Sequence, residues 1–304
     1  MSGLPQYLTA GLALGAVYAL VALGFVVIYR ASEVFNFAQG EFVTFGAFAM
    51  VTIYQLLPEI GAGPRWMISL IGAMVLAGLL GALVERAFLR KLIGRPVFVT
   101  IILTIFVGFI LRTLLLIVFG SDPVRMPTPW EATGDLNIFG ASVLYNSVGA
   151  IVAGLLALGA FFVVLKYTRL GVAMRATASD QEVALGLGIP VGRIFGTTWF
   201  IAGALAALGG VFLGMFPRST DVHMGFIALR AFPAVIVGGL DSATGAVVAG
   251  FLLGLLEVLS QAYINPQLGT YGENFHEVLP YLVMILVLIV KPYGLFGSKE
   301  VERV

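Results

Sequence analysis

The sequence predicts an all-α polytopic membrane protein, and its composition is the first reason. Hydrophobic residues make up 60% of the 304 residues and charged residues 11%, whereas soluble globular chains have about 45–50% and about 25%. The mean hydropathy is +1.02, and so few charges could not cover the surface of a soluble protein of this length. The second reason is that long apolar runs recur along the whole chain. We therefore expect one integral-membrane domain that occupies residues 1–304.

About eight transmembrane helices are predicted, because a spanning helix needs about 20 apolar residues. The apolar runs cover residues 7–29, 40–57, 66–85, 97–118, 143–165, 195–216, 242–260 and 276–290. A ninth run, 226–240, is shorter, carries Arg230 and Pro233, and ends in a Gly-Gly pair. Interrupted backbone at membrane depth is tolerated only against protein or a water-lined cavity. This run therefore predicts a short broken or re-entrant helix.

Glycine pairs four residues apart predict close packing among the helices. Such pairs lie on one helical face and let membrane helices approach closely. Three of them occur, at Gly11 and Gly15, Gly210 and Gly214, and Gly250 and Gly254. They indicate a tight multi-helix bundle and carry no information about a ligand.

The distribution of Lys and Arg predicts the orientation, because cytoplasmic loops are rich in these residues. Twelve of the seventeen fall at Arg30 or within 86–96, 166–194 and 291–304. These regions are therefore expected in the cytoplasm and the N-terminus outside. The C-terminus lies in the cytoplasm only if 226–240 counts as a crossing.

Residues 166–194 form the one long loop that is expected in the cytoplasm, and a short helix is predicted inside it. Ser179 and Glu182 have the spacing of a capping box, and Asp180 also favours the positive end of a helix dipole. Gly188 offers a left-handed stop before Pro190. These signals predict a helix over about 180–187.

The predicted 180–187 helix has two interpretations. Val183, Ala184 and Leu187 share one face, as expected of an amphipathic surface helix. The helix is either a solvated connector or a plug whose apolar face enters a cleft of a soluble subunit.

The segment YRASEVFNFAQGEF, residues 29–42, places polar side chains between two apolar runs. Asn36, Gln39 and Glu41 are flanked by phenylalanines, and Gly40 is a small, permissive residue among them. Two roles are open: a hydrogen-bonded cluster that holds two helix pieces together, or a lining of a solute path.

A second interruption follows in the other half of the chain. Gly238, Gly239 and Asp241 join a short apolar piece to a full apolar run. Interrupted segments in corresponding halves are a pointer to a transport path, and they are compatible with an inverted repeat.

Two ionisable residues at membrane depth require an explanation, because such groups are costly there. Arg112 and Glu257 both lie near the predicted outer ends of their runs. Arg112 has a structural or snorkelling role on this interpretation, and pairing between the two is a hypothesis motivated by similar depth. His223 and His276 are isolated, so no metal site is predicted. No nucleophile–base constellation occurs, which argues against an enzyme.

Four segments resemble a known family, the branched-chain amino-acid permeases of ABC importers. The loop RATASDQEVALGLGIPVGRI resembles the coupling-loop motif of that family, and GFVVIYRASEVFNFAQGEFVTFGAF resembles its other signature. AFPAVIVGGLDSATGAVVAGFLLGLLE and the ending VLIVKPYGLFG are also similar. The resemblance covers essentially the whole chain, in order.

The resemblance implies a multi-pass permease subunit in a bacterial inner membrane, which imports branched-chain amino acids or a related small solute. It also implies four kinds of partner: a homologous second permease, two cytoplasmic ATPases, a periplasmic or extracellular solute-binding protein, and membrane lipid. No Gly-Lys dipeptide occurs, so no phosphate-binding loop of that type exists. This chain is therefore expected to bind no cofactor, and the ATP and Mg²⁺ are used by the ATPases. Nucleic acid is not an expected partner.

Two groups of candidate residues follow. The ATPase-coupling candidates are Ser179, Asp180, Glu182, Val183, Ala184, Leu187 and Gly188. The candidates for a translocation path or a helix break are Asn36, Gln39, Gly40, Glu41, Gly238, Gly239 and Asp241. No residue is assigned to catalysis or to a metal.

The alternative interpretation is a stand-alone secondary transporter or channel for a small polar solute. Such a protein needs coupling-ion or gating residues in its core, and few ionisable groups lie there. A non-transporting scaffold is a third class, which leaves the capped cytoplasmic helix and the polar interruptions unexplained.

Overall fold

The computed structural model describes residues 3–92, 96–138, 141–215 and 217–297, and nearly all of its regular structure is helical. The helices are α1 (Leu4–Ser32), α2 (Gln39–Leu56), α3 (Ala62–Ala87), α4 (Val97–Phe119), α5 (Tyr145–Tyr167), α6 (Arg169–Ser179), α7 (Gln181–Gly186), α8 (Val191–Leu213), α9 (Met224–Leu229), α10 (Phe232–Gly238), α11 (Ala243–Leu259) and α12 (Phe275–Val290). One antiparallel hairpin, β1 (Asp135–Ile138) and β2 (Ala141–Leu144), precedes α5. The predicted all-α polytopic class is confirmed.

Six helices of the described chain are long and apolar enough to cross a membrane. They are α1, α4, α5, α8, the span Ala62–Leu92 and the span Ala243–Gly269. The last two consist of α3 and α11 together with the short helical turns that follow each, at Leu89–Leu92 and from Ser260 onward. The predicted spans at 40–57 and 276–290 correspond to α2 and α12, which have 18 and 16 residues. The first turn of α2 contains Gln39 and Glu41, which lower its hydropathy. Length and composition therefore do not confirm the count of eight.

Helix α1 is the centre of the bundle, and small residues allow its neighbours to approach. Its middle residues are almost completely buried against α11, α8 and α5. A Cβ atom on Gly15 would lie 2.7 Å from the Cα of Phe251, and one on Gly250 would lie 2.6 Å from the Ala19 nitrogen. Both distances are shorter than a Cβ atom can tolerate, so the predicted role of these glycine pairs in close packing is confirmed for α1 and α11.

The chain interrupts its helices at two places that matter for the site. Between α1 and α2, Glu33 adopts the left-handed region with φ 55°, and α2 resumes only at Gln39. The predicted broken helix at 226–240 is confirmed, because it consists of α9 and α10, which are separated at Arg230 and Ala231. We call these the first break (residues 33–38) and the second break (residues 230–231).

The ends of the α9–α10 pair lie near opposite ends of the bundle. Before α9, Thr220 and Val124 form a β-bridge, which ties this end to the segment after α4. After α10, the Leu295 nitrogen donates to the Val237 oxygen at 2.8 Å, and the Phe296 nitrogen donates to the Gly238 oxygen at 3.1 Å. The second end is therefore tied to the segment after α12.

Candidate functional site

The first turn of α2 lies directly against α9, so the first break and the α9–α10 pair meet. A Cβ atom on Gly40 would collide with the carbonyl oxygen of Gly225. In the other direction, a Cβ atom on Gly225 would lie 2.9 Å from Glu41 Oε1. Only glycine at both positions allows this approach of the two backbones.

Asn36 and Gln39 form a completely buried hydrogen-bonded cluster at the first break. Asn36 Oδ1 accepts from the Ala38 nitrogen at 3.1 Å, and Asn36 Nδ2 donates to Gln39 Oε1 at 3.0 Å. Gln39 Nε2 then donates to the Ala202 oxygen of α8 at 3.2 Å. Neither side chain has measurable exposure. The geometry is that of a cluster that joins helix pieces, and a contact with solute stays a prediction.

Helix α4 supports the same break from its other side. Thr104 Oγ1 donates to the Phe35 oxygen at 3.0 Å, and it accepts from the Phe37 nitrogen at 3.3 Å. Thr104 is completely buried. The carbonyl of Phe35 and the nitrogen of Phe37, which the break releases, are therefore satisfied by protein, as membrane depth requires.

Aromatic side chains from both breaks form one continuous surface, which we call the aromatic wall: Tyr29, Phe35, Phe37 and Phe232. The ring centroids of Phe37 and Phe232 are 5.5 Å apart, and those of Phe35 and Phe232 are 6.1 Å apart. Tyr29 extends the wall toward the end of α1, with its ring centroid 4.6 Å from that of Phe35. All four side chains are partly exposed, so this surface is accessible to a small apolar group.

The second break carries an ion-pair network. Arg230 Nη1 lies 3.4 Å from Glu257 Oε1, and Arg230 Nη2 lies 2.8 Å from Glu277 Oε1. Tyr18 donates its hydroxyl proton to the other oxygen of Glu257 at 2.7 Å. Glu257 is 2% exposed, so its charge is compensated inside the protein by α1 and the second break together.

The hypothesis that Arg112 pairs with Glu257 is wrong. Arg112 Nη2 donates to His223 Nδ1 at 2.8 Å, and its guanidinium carbon lies 3.8 Å from the centre of the Phe226 ring. Similar depth was not sufficient to predict a contact, because Arg230 occupies the position beside Glu257. The presence of Arg230 in an interrupted apolar run was the available signal for that partner.

The second predicted interruption, at Gly238, Gly239 and Asp241, does not lie against the first. Gly239 has φ +107°, and a Cβ atom there would lie 2.6 Å from the Gly297 nitrogen. Asp241 lies in the turn before Ser242, whose hydroxyl accepts from the Gly245 nitrogen and caps α11. The structure therefore brings Gly40 and Glu41 to α9, and it brings Gln39 to α8. Gly238, Gly239 and Asp241 lie instead against α11 and the segment after α12.

The segment 166–194 contains two helices, α6 and α7, and the predicted capping residue is wrong. Ser179 is the last residue of α6, whereas Asp180 caps α7 by accepting from the Val183 nitrogen at 2.9 Å. Two candidate caps occur in a row, and the chain uses the one whose backbone is extended. Gly188, which has φ +82°, follows the end of α7 and is the predicted left-handed stop.

The predicted apolar face of α7 is also partly wrong. Ala184 is 1% exposed, because it packs in a small cluster with Ala31, Val191 and Phe195 of the same chain. Val183 and Leu187 are 57% and 75% exposed. Leu185 is also 58% exposed. Three apolar side chains of α7, those of Val183, Leu185 and Leu187, are therefore exposed.

A cavity of about 280 Å³ lies between the first break and α7. Its polar lining includes Glu33, Glu85, Arg90 and Gln181. Arg90 forms an ion pair with Glu85 at 2.8 Å, and Gln181 Nε2 donates to the Ala31 oxygen at 3.3 Å. Within the described ranges, no group of three or more His, Cys, Asp and Glu residues is placed to hold a metal ion.

Comparison with known proteins gives matches over the full length. The family described as "Branched-chain amino acid transport system / permease component" matches residues 7–288. The high-affinity branched-chain amino acid transport system permease protein LivH of Escherichia coli K12 is 32% identical over 98% of this chain and 97% of its own length. BraD of Pseudomonas aeruginosa, of the same description, is 30% identical over the same shares.

A more distant relative comes from an archaeon. The probable branched-chain amino acid transport permease protein LivH of Methanocaldococcus jannaschii is 28% identical over 93% of this chain and 90% of its own length. No solved structure gives a significant match. The family match covers the breaks, the aromatic wall and the α6–α7 segment alike. The chain belongs to the family of permease components of branched-chain amino acid transport systems.

Proposed function

We propose that this chain is the membrane-spanning subunit of an ATP-driven importer, and that its solute is a branched-chain amino acid or a closely related small molecule. One observation carries the proposal: two helix breaks meet inside the bundle and present the aromatic wall between them. Interrupted helices at membrane depth mark substrate paths in transporters. An apolar, partly exposed surface there suits an aliphatic side chain.

The proposal includes nine membrane crossings. Family membership and the six long apolar helices make the chain a multi-pass protein of the inner membrane. The contacts at the two ends of the α9–α10 pair support a further crossing by this pair, and α2 and α12 supply the remaining two. The N-terminus then lies outside and residues 291–297 inside. The chain has no cysteine, so single cysteines at Gly63 and Gly186 would report opposite faces to an impermeant thiol reagent.

Coupling to the ATPases is assigned to α7. Asp180 fixes the start of this helix, and Gln181 and Ala184 attach it to the end of α1. The first break begins immediately after α1, at Glu33. A force on α7 would therefore reach the first break through one rigid helix end, while Val183 and Leu187 remain available for a cleft of the ATPase.

The required partners are a second permease subunit, two ATPases and a solute-binding protein. Helices α4 and α5 are apolar and mostly exposed, which suits contact with lipid and with the second permease. ATP and Mg²⁺ are bound by the ATPases. A stand-alone transporter, the alternative, would work without any of these chains.

Purification and reconstitution distinguish the two functions. We expect a stoichiometric complex with two ATPases and a second permease, and leucine uptake into proteoliposomes that requires both ATP and the binding protein. Uptake by this chain alone, without ATP, would overturn the proposal in favour of the stand-alone transporter.

A substitution on α7 tests the coupling assignment. Leu187→Asp is expected to reduce transport strongly while leaving membrane insertion intact, because a charge replaces an apolar side chain that enters the cleft. Val172→Asp is the matched control, since Val172 is 55% exposed on the neighbouring helix α6. ATP hydrolysis and uptake are measured together on both variants. Equal losses in both would contradict a specific role for α7.

A further inference from the structure

Arg112 is a charged residue within α4 that joins no ion pair with a described residue. It lies seven residues before the outer end of α4 at Phe119, which is about 10 Å along the helix. Its side chain turns toward the start of α9, where it contacts His223 and Phe226. Ionisable residues in this position face a bundle interior or a water-filled cavity and mark the path of a polar solute.

The contacts of Arg112 leave most of its donors available. Its Nη2 donates to His223 Nδ1 at 2.8 Å. Because arginine only donates, Nδ1 must be the acceptor, so the imidazole proton lies on Nε2. The guanidinium group has five N–H donors, and the described residues provide a hydrogen-bond partner for one. His223 and Phe226 are both exposed, so these donors lie at the open side of α9.

Glu41 supplies a carboxyl group close to the same place. It is 7% exposed, and its Oε2 has no hydrogen-bond partner among the described residues. Its Oε1 packs against Gly225, the residue before Phe226, and the Phe226 ring lies against the guanidinium group of Arg112. A buried polar atom without a partner requires an explanation, and an exchangeable ligand is one.

The arrangement complements an amino-acid zwitterion. A positive group with spare donors, a carboxyl group with a spare acceptor and the exposed Phe226 ring lie together around the start of α9. A carboxylate is bound best by charge-assisted hydrogen bonds of this kind, and an aliphatic side chain by aromatic faces. The aromatic wall begins nearby at Phe37, whose backbone Thr104 holds to the same helix as Arg112.

We propose that Arg112 and His223 bind the carboxylate of the solute in transit, and that Glu41 accepts from its ammonium group. This head-group site rests on the proposed function, and it adds the residues that would hold the carboxylate and ammonium groups of the solute. The aromatic wall then carries the side chain toward the first break.

Ligand competition tests the chemistry directly. The whole importer is placed in nanodiscs of deuterated lipid without binding protein, and saturation-transfer NMR is recorded on the methyl protons of leucine. We expect 4-methylpentanoate, which lacks the amino group, to compete with leucine. We expect 3-methylbutylamine, which lacks the carboxylate, to compete much less. Equal competition by both compounds would overturn the assignment of Arg112.

Variants connect the competition to the residues. Arg112→Met is expected to lower the leucine signal and the uptake rate by about tenfold or more, as for a lost charge-assisted bond, and to abolish competition by 4-methylpentanoate. Arg112→Lys keeps the charge and should recover part of both. Arg65→Met is the matched control, because Arg65 also stacks on an aromatic ring, that of Tyr54, at 4.3 Å. It should leave both readouts unchanged.

A purely structural role for Arg112 predicts a different outcome. If Arg112 only fastens α4 to α9, then Arg112→Met lowers uptake but leaves the relative competition of the two compounds as it is in the wild type. That result would overturn the head-group site while leaving the importer function in place. Absence of ATP-dependent uptake in the wild type would instead overturn the proposed function and this site with it.

Discussion

The first and second breaks solve the same problem, interrupted backbone at membrane depth, with different chemistry. The first break uses neutral groups: Asn36 and Gln39 bond to each other, and Gln39 and Thr104 bond to backbone oxygens. All three side chains are completely buried. The second break uses charges: Arg230 lies between Glu257, which is buried, and Glu277, whose side chain is 40% exposed. A neutral buried cluster fixes one geometry. An ion pair with a half-exposed partner can exchange that partner for water.

This difference assigns separate tasks to the two breaks. The first break connects α7 and α1 to α2 and is rigid. The second break ends a short helix that lies against α2 at Gly225 and Gly40. Movement of the α9–α10 pair against a fixed first break would open and close the aromatic wall, because Phe232 belongs to one side and Phe37 to the other.

The largest expected effect is at the second break, where a buried charge depends on its partner. Arg230→Met should destabilise the protein by about 3–5 kcal/mol, because it leaves Glu257 uncompensated at membrane depth. Unfolding in mixed detergent and SDS micelles measures this free energy. The double variant Arg230→Met/Glu257→Gln removes both charges and should recover most of the loss. If the double variant is as unstable as the single one, charge compensation is not what holds the second break.

The next effect is at the contact between α2 and α9. Gly40→Ala should cost about 3 kcal/mol, because the new Cβ meets the carbonyl oxygen of Gly225, which is backbone and cannot turn away. Gly159→Ala on α5 is the control, since a Cβ atom there meets nothing within 4 Å. It should be neutral or slightly stabilising. Equal losses from the two substitutions would show that α2 and α9 do not approach at Gly40.

A smaller effect is expected at the first break. Gln39→Met should cost about 2 kcal/mol, because it leaves Asn36 Nδ2 and the Ala202 oxygen without their partner. Gln55→Met, on an exposed position of the same helix, is the control and should change little. The same unfolding assay measures this loss. If it is larger than that of Arg230→Met, the first break contributes more to stability than the second.

The sequence predicts the helices well because each long apolar run has one stable state in lipid. It also predicts the broken helix at 226–240, because Arg230, Pro233 and the Gly-Gly pair visibly interrupt this apolar run. The polar run at Asn36, Gln39 and Glu41 also stands out in the sequence. The sequence does not decide its partners, because the same residues suit a packed cluster and a water-lined path.

The partners of distant residues could not be predicted in the same way. Arg112 contacts His223 and not Glu257, because the path of α9 across α4 decides which side chains meet. The spacing of residues along the chain does not specify how α9 crosses α4. Similarly, Ala184 and Val183 are adjacent in sequence, yet only packing against Phe195 makes one buried and the other exposed.

The smallest expected loss of stability is at the start of α7, where water can replace a lost hydrogen bond. Asp180→Ala should cost about 1 kcal/mol, because α7 loses its N-cap acceptor for the Val183 nitrogen. Asp180→Asn keeps an oxygen at that place and should recover most of the loss. Ser179→Ala should change less than Asp180→Ala, since Ser179 ends α6; the opposite order would restore the serine capping box. If α7 carries the coupling surface, as we propose, Asp180→Ala should reduce transport more than this small loss of stability predicts. Uptake measured at matched amounts of folded protein separates the two contributions.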